Sequence, residues 1–486
     1  MNVDALIILA LIIPFCGAAL IPLAHGAPNV RETITLVTAT GLFATVMLLL
    51  REVLAGARPS YSVIEVTPGL EIAFAIEPLG MLFAAIASTL WIVTSVYSIG
   101  YMRGNNEPRQ TSYYVWFAIA LGAATGIAFS GNLFTLFLFY EILSVSTYPL
   151  VAHKGNEEAK RGARVYLMML IGASLVLFLP AIVWTFVVAG TLDFTPGGIL
   201  EGNIGPIATG FLLALFAFGI GKAAVMPLHY WLPTAMVAPT PVSALLHAVA
   251  VVKAGVFTVT KVIFYIFGID FLSETGANEW LVILSSIGLL AASLVALNKD
   301  NLKARLAYST VSQLAYVVLG AALASSLAVV GAGLHIAMHA AGKITLFFCA
   351  GAIYTASKKT EVSQLDGIGW RMPFTMAAFF IGALCVIGVP PLGGVWSKWH
   401  LMAGAYEAGY APVVAVLMIS TLLNIAYLLP PVIRAFLMPP TDGYKGGLKE
   451  APLASVGALS LTAVFCLLLF FYADAIRGLL AEMLVY

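Results

Sequence analysis

The chain alternates long apolar stretches with short polar connections from one end to the other. A helix needs roughly 20 apolar residues to cross a bilayer, and fourteen stretches approach or exceed that length. The pattern therefore predicts an all-α integral membrane fold with about 14 transmembrane helices. The predicted spans are 3–24, 33–51, 78–99, 113–130, 132–153, 163–189, 208–228, 242–268, 279–297, 302–320, 326–356, 374–409, 411–436 and 453–475.

Two of these spans are predicted to be broken helices. The twelfth exceeds a single crossing and contains Pro390 and Pro391, and the seventh is interrupted at Met226-Pro227. Proline removes a backbone donor, and unwound backbone at membrane depth is tolerated where it lines a cavity. A lysine accompanies each break, Lys222 and Lys398. Paired interrupted helices point to inverted repeats with a transport path between them.

The predicted organisation has four parts. Residues 1–112 hold the N-terminal helices, 113–268 a first five-helix repeat, 269–438 an inverted second repeat, and 439–486 the C-terminal helix. An odd number of helices in each repeat makes the two repeats inverted. The polar connections are shorter than the smallest stable domain of about 40 residues, so no soluble domain is expected between the spans.

Charge placement predicts the orientation of the chain. Connections after odd-numbered spans hold sixteen of the 24 basic residues, whereas the opposite side has only Arg51, Arg58 and Arg477. Basic residues stay on the inner side, so both termini are predicted to face outward from a bacterial or archaeal-type cell membrane. A net charge of +1 with dispersed charges provides no basic surface for nucleic acid.

The remaining five basic residues are lysines inside the spans: Lys222, Lys253, Lys261, Lys343 and Lys398. Each costs about 3 kcal/mol at mid-bilayer, which calls for a partner or a use. Glu141 is predicted to be the counter-ion of Lys222, as a switch that controls proton release or as a packing pair. Lys261 lies near its helix end and is expected to extend to the interface.

One predicted helix face carries three titratable side chains. His335, His339 and Lys343 are spaced i, i+4, i+8, along about 12 Å of helix axis. Imidazole titrates near neutral pH, which favours a proton relay. His247, six residues before Lys253, is an additional candidate for the same path. A metal site at the histidine pair is the alternative, but no cysteine or carboxylate lies nearby in sequence, so no metal and no cofactor is expected.

Four segments resemble a known family. They are FYEILSVSTYPLV at 139–151, FGIGKAAVMPLHYWLPTAMVAPTPVSALLHAVAVVKAGVF at 218–257, NLKARLAYSTVSQLAY at 301–316 and GVPPLGGVWSKW at 388–399. In this order they are similar to the antiporter-like subunits of respiratory complex I and of Mrp-type cation/proton antiporters.

The resemblance implies fourteen helices with two inverted five-helix repeats and a polar axis in the membrane plane. It also implies a role for each matching residue. Glu141 and Lys222 would form the charge-switch pair, and Lys253 the connection. His335, His339 and Lys343 would form the relay, and Lys398 the distal site.

The expected function is proton translocation coupled to sodium exchange in a multi-subunit complex of the cell membrane. The short length is most similar to the D-type subunit of Mrp antiporters. The alternative is a proton-pumping subunit of a redox complex, of the NADH-quinone oxidoreductase or membrane-bound hydrogenase type, where the chain would be part of an enzyme. A solitary solute carrier is a third hypothesis. The expected partners are other membrane subunits, lipid, protons and Na⁺.

Overall fold

The computed structural model describes residues 3–440 and 447–484. Residues 441–446 belong to the polar connection before the last predicted span and lie outside the described residues, as do 1–2 and 485–486. Helices make up most of the described chain, and the predicted all-α membrane fold is confirmed.

We label the principal helices α1 to α16. Their bounds are α1 Val3–Ala24, α2 Pro28–Leu54, α3 Pro78–Gly104, α4 Gln110–Phe129, α5 Leu133–Val151, α6 Glu157–Ala189, α7 Pro206–Gly219, α8 Thr240–Phe267, α9 Glu279–Leu297, α10 Leu302–Ala322, α11 Ser326–Ser357, α12 Pro373–Ile387, α13 Gly394–Glu407, α14 Ala411–Leu437, α15 Leu453–Phe471 and α16 Ala473–Ala481.

Every predicted span coincides with one of these helices or with a pair of them. Among the described residues, eleven helices are long and apolar enough to cross a membrane. The other three predicted spans correspond to α7, to α10 and to α12 with α13. Of these, α7, α12 and α13 are shorter than a full crossing, as expected for broken helices, and α10 is rich in polar side chains.

A β-hairpin was not predicted from the sequence. Strand β1 (Ser60–Thr67) pairs antiparallel with β2 (Leu70–Ala75) in the polar connection between α2 and α3. Gly69 takes a left-handed φ of +80° in the turn, a conformation that glycine adopts without strain.

The two breaks differ in where they fall. The second lies between Ile387 and Gly394, with Lys398 on the following helix as predicted. The first break begins at the end of α7, Gly219, so the predicted helix 208–228 is wrong in its last part. Lys222 lies in a short turn inside the unwound segment. The carbonyl of Gly221 accepts a hydrogen bond from the Trp231 indole at 3.0 Å, which satisfies one backbone group that the break has freed.

Helices α8 and α11 form the centre of the molecule. Both are buried along their apolar length, whereas most other spans leave one side uncovered. Helix α11 packs against α10, α12, α13 and α15, and α8 packs against α11 and the turn that carries Lys222. Titratable residues on these two helices are therefore shielded from lipid and lie where the two predicted repeats meet.

The two ends of the molecule support the predicted alternation of the spans. Lys154, Lys303 and Lys359, which follow odd-numbered spans, line one cavity. At the other end Arg58, from the connection after α2, pairs with Glu482 after the last span at 2.5 Å. Connections that follow odd-numbered spans thus meet at one end of the molecule, and connections that follow even-numbered spans meet at the other. Which end faces outward stays a prediction.

Candidate functional site

Lys222 is held by the helix that carries Glu141. Its Nζ donates to the Tyr140 carbonyl at 2.9 Å and to Ser144 Oγ at 2.5 Å. Its backbone N–H donates to the Tyr140 hydroxyl at 3.0 Å, and the side chain is fully buried. The unwound segment thus places an amine against α5 with two acceptors in reach.

Glu141 does not form the predicted close ion pair. Among the described residues, no Glu141 oxygen lies within 4.0 Å of Lys222 Nζ, and both carboxylate oxygens are buried without a hydrogen-bond partner. The two groups are still near enough for an electrostatic interaction. The sequence correctly placed both residues at one site. The direct contacts of the lysine, however, are with the neighbours of the glutamate.

Lys253 connects the predicted repeats. Its Nζ lies 2.6 Å from Nδ1 of His339, and both side chains are buried. His339 Nε2 is buried and has no partner among the residues described. The contact joins α8 to α11, so a proton can be shared between an amine and an imidazole across the two halves.

His335 lies one turn from His339 on the same face of α11. The two rings are stacked with centroids 5.9 Å apart. His335 Nδ1 lies 2.9 Å from Ser397 Oγ, and Nε2 lies 3.1 Å from Gln313 Oε1. The predicted common face is confirmed. The two imidazoles nevertheless have different partners, His339 toward the first half and His335 toward the second.

Lys343 completes that face and contacts α10. Its Nζ donates to the Leu306 carbonyl at 3.2 Å and to Ser309 Oγ at 2.6 Å. Ser309 in turn is hydrogen-bonded to the Tyr427 hydroxyl at 3.0 Å. The lysine is thus connected to α14 through two hydroxyl groups.

Lys398 uses acceptors from the second break. Its Nζ donates to the Ile387 carbonyl at 2.8 Å, which the end of α12 leaves free, and to Thr421 Oγ1 at 3.2 Å. The ammonium also lies 5.1 Å from the centre of the Tyr316 ring. Like Lys222, this lysine binds a carbonyl in the core of the protein.

His247 lies in a wide turn of α8 (Leu245–Val249) and its ring packs 4.9 Å from that of Phe347. Both ring nitrogens are buried and find no hydrogen-bond partner in the described ranges. The structure therefore places His247 at the centre of the molecule. It does not connect His247 to Lys253 by a hydrogen bond within those ranges.

Lys261 reaches one end of the molecule, as expected, but protein encloses it there. It is only 1% exposed, forms an ion pair with Glu77 at the start of α3, and donates to the Ser130 carbonyl at 2.7 Å. The pair lies on the wall of a cavity of about 260 Å³ at the end where Arg58 and Glu482 meet.

Sequence reasoning missed the neutral members of the site. They are Tyr140, Ser144, Ser309, Gln313, Ser397, Thr421, Asn424 and Tyr427. The signal available was a run of polar residues, STVSQ, within an apolar span at 309–313.

Comparison with known proteins identifies the family of the chain. Residues 130–424 match the family model described as NADH:quinone oxidoreductase/Mrp antiporter, transmembrane. NADH-quinone oxidoreductase subunit N from Desulforudis audaxviator is 32% identical over 413 residues, which cover 83% of this chain and 80% of that protein. The chain spans 51% and 62% of the length of two further curated relatives.

Two solved structures share the fold. A chain of the Mrp complex from Dietzia superposes with a TM-score of 0.86 at 20% identity, covering 100% of this chain and 97% of that one. A chain of the archaeal membrane-bound sulfane sulfur reductase superposes with a TM-score of 0.88 at 23% identity, covering 99% and 97%. The chain belongs to the NADH:quinone oxidoreductase/Mrp antiporter family of antiporter-like, proton-translocating membrane subunits.

Proposed function

We propose that this chain translocates protons along a buried axis in the membrane plane, from Glu141 and Lys222 through Lys253 and the α11 residues to Lys398. The observation that carries the proposal is the 2.6 Å contact between Lys253 and His339. Two titratable groups this close, buried between the halves, can pass one proton from one half to the other. A purely structural role would not require two groups that both titrate.

Glu141 acts in this proposal as the control of Lys222. A charged carboxylate near a buried amine favours the protonated amine, and neutralising the carboxylate favours proton release. The absence of a competing donor to Glu141 among the described residues supports this role, because nothing else there fixes its charge. The charge on Glu141 thus sets the proton affinity of Lys222.

The residues of α11 take successive roles in the second half of the proposed path. His339 receives the proton from Lys253, and the stacked His335 leads toward Ser397 and Lys398. Lys343 provides a further protonatable group on the same helix face, and its Nζ donates to Ser309 Oγ. Water between these groups would complete the transfer steps that exceed hydrogen-bond distance.

The parent complex is proposed to be an Mrp-type monovalent cation/proton antiporter, with this chain as its D-type subunit and sodium as the coupled cation. The resemblance in motifs supports this assignment. Its partners would be the other membrane subunits, in a cell membrane with both termini outside. The chain supplies few buried carboxylates, and sodium prefers oxygen ligands, so the sodium path would lie in a partner.

A second parent complex is favoured by one specific observation. The relative named NADH-quinone oxidoreductase subunit N matches over 80% of its own length, so the similarity is not confined to a shared core. In that case electron transfer in other subunits would drive the same proton path, and the chain would be part of an oxidoreductase.

The test uses membrane vesicles that carry the assembled complex and a trapped pH-sensitive dye. Lys253→Met and His339→Leu should each abolish proton movement, with Lys160→Met as the control because Lys160 lies at an exposed end of α6. Normal flux in both core variants would refute the proposal. A sodium gradient that drives proton movement identifies an antiporter, whereas proton movement on addition of NADH or another electron donor identifies a redox complex.

A further inference from the structure

A hydrogen-bonded cluster on α14 joins Lys398 to the α11 residues. At its centre is Asn424, which is fully buried. With its amide oxygen facing the neighbouring donors, Asn424 accepts from Lys398 Nζ at 3.0 Å and from Gln313 Nε2 at 3.2 Å. Neither amide residue was singled out in the sequence.

The nitrogen of the same amide faces the other way. It donates to the Tyr427 hydroxyl and to the Ser420 carbonyl at 3.3 Å. Tyr427 is hydrogen-bonded to Ser309 at 3.0 Å, and Ser309 accepts from Lys343 at 2.6 Å. Asn424 is therefore the point where the hydrogen bonds of Lys343 and Lys398 meet.

The amide also completes the acceptor set of Lys398. An ammonium has three N–H donors. The Ile387 carbonyl, Thr421 Oγ1 and Asn424 Oδ1 supply three acceptors at 2.8, 3.2 and 3.0 Å. The site is thus arranged for a protonated lysine, which loses these interactions when it releases its proton.

Gln313 extends the effect to His335. Because its nitrogen donates to Asn424, its oxygen is left to accept from His335 Nε2 at 3.1 Å. This fixes the proton of a neutral His335 on Nε2 and leaves Nδ1 as an acceptor 2.9 Å from Ser397 Oγ, whose one hydroxyl proton is also within reach of the Gly394 carbonyl at 3.1 Å. The tautomer of the histidine therefore follows from the orientation of two amides.

We propose that Asn424 is a positioning residue that couples the protonation of Lys398 to the hydrogen bonding of His335 through Gln313. The inference rests on the proposed function and deepens it. An amide does not exchange protons at ordinary pH, so Asn424 orients its neighbours and is not itself a proton carrier.

The position of Asn424 fits the predicted repeat. That repeat pairs α8 with α14, and Lys253 and Asn424 each lie thirteen residues beyond the first residue of their helix. The second half thus has a neutral amide where the first half has a titratable amine. In the proposed path the proton carrier next to this amide is Lys398, whose Nζ donates to the amide oxygen.

The experiment measures proton flux as a function of pH in vesicles carrying the assembled complex, normalised to the amount of this chain. Asn424→Leu removes one acceptor from Lys398 and one donor from Tyr427, and flux should fall about tenfold, the factor expected for a lost charge-assisted hydrogen bond. Leu422→Ala, on the uncovered side of the same helix, is the control and should leave flux unchanged.

Asn424→Asp separates positioning from packing, since aspartate has nearly the shape of asparagine. Its carboxylate would hold Lys398 in the charged form, so release would require a higher pH, and the flux profile should move by about 1 pH unit to the alkaline side. The other titratable groups that interact with Lys398 are Cys385 on α12, Tyr316 on α10 and His335 on α11, and they are unchanged in this variant.

The outcomes distinguish the positioning role of Asn424 from the proposed proton path through Lys398. An unmoved pH profile in Asn424→Asp, with Lys398→Ala inactive, would overturn the positioning role alone, whatever the Leu variant does. Normal flux in Lys398→Ala would instead overturn the proposed path. A shifted profile together with an inactive Lys398→Ala supports both.

Discussion

Lys253 Nζ and His339 Nδ1 lie 2.6 Å apart in the interior, one on α8 and the other on α11. Two positive charges at that distance repel strongly in a medium of low dielectric constant. The pair therefore holds one proton between them and not two. A second proton can arrive only after the first has moved on, so protons would cross this contact between the halves one at a time.

The first prediction concerns the start of the path. Lys222→Met removes the proposed proton carrier, and Glu141→Gln removes the charge that is proposed to control it, so each should abolish proton flux while the complex still assembles. Ser144→Ala removes one of two acceptors of Lys222 and should lower flux only in part. Flux in vesicles, normalised to assembled complex by immunoblot, measures all three. Normal flux at normal abundance in the first two would contradict the role.

The second prediction uses a glycine on α8. A Cβ added at Gly255 would overlap the backbone of Lys222 and Ala223, which cannot move aside as a flexible side chain would. Gly255→Ala should cost about 2 kcal/mol of packing energy and displace the lysine, so flux should drop sharply. Gly172→Ala on α6 is the matched control because its added Cβ would meet no atom within 4 Å. Equal flux in the two variants would show that this close approach is not needed.

The sequence was sufficient to find the charged members of the site. A lysine inside an apolar span is costly, so Lys222, Lys253, Lys343 and Lys398 stand out without any structure. The break at Pro390 and Pro391 was equally clear, because proline interrupts helical hydrogen bonding. Such features are visible because each one is expensive in a membrane.

The partners of these lysines could not be predicted. The acceptors at Tyr140, Leu306 and Ile387 are backbone carbonyls, which every residue has. Asn424 and Gln313 are neutral and cost far less in a span than a charge, so they did not stand out. The enclosure of Lys261 could not be predicted for a related reason. Its partner Glu77 lies in a distant connection, and only the packing of α3 against α8 brings the two together.

The third prediction tests that ion pair. Lys261→Met leaves a largely buried carboxylate without its partner and should lower the stability of the purified complex by about 3 kcal/mol. Adding Glu77→Gln should restore most of the loss, since no uncompensated charge remains. Thermal unfolding in detergent of both single variants and the double variant measures the coupling. Additive losses would mean that the two side chains do not depend on each other.

The fourth prediction concerns His153, which lies beyond the end of α5. Burial, with a contribution from the Arg109 charge, lowers the pKa of His153 to about 4. Glu107 is 4.0 Å from Nε2, at the limit of an ion pair, and does not offset the burial. An unfolded histidine has a pKa of about 6.5, so it gains a proton before the folded one does. Stability should therefore fall as the pH drops from about 6.5 toward 4.

His153→Gln removes this titration and should flatten the loss over that pH range. The melting temperature of the complex in detergent at several pH values gives the comparison, with the native chain as reference because other groups also titrate. Parallel curves for the two proteins would exclude His153 as a source of acid sensitivity.

The last prediction decides whether Lys398 carries a proton or only a charge. Lys398→Ala should block flux, because an aliphatic side chain can neither hold nor pass a proton. Lys398→Arg keeps the positive charge beside Ile387 and Thr421, but a guanidinium with a pKa above about 12 hardly ever releases its proton. A site that must release its proton therefore fails with arginine, whereas a structural charge survives. Lys160→Arg, at an exposed end of α6, is the control for the substitution itself. Near-normal proton flux in Lys398→Arg vesicles would make Lys398 a structural charge and end the path before it.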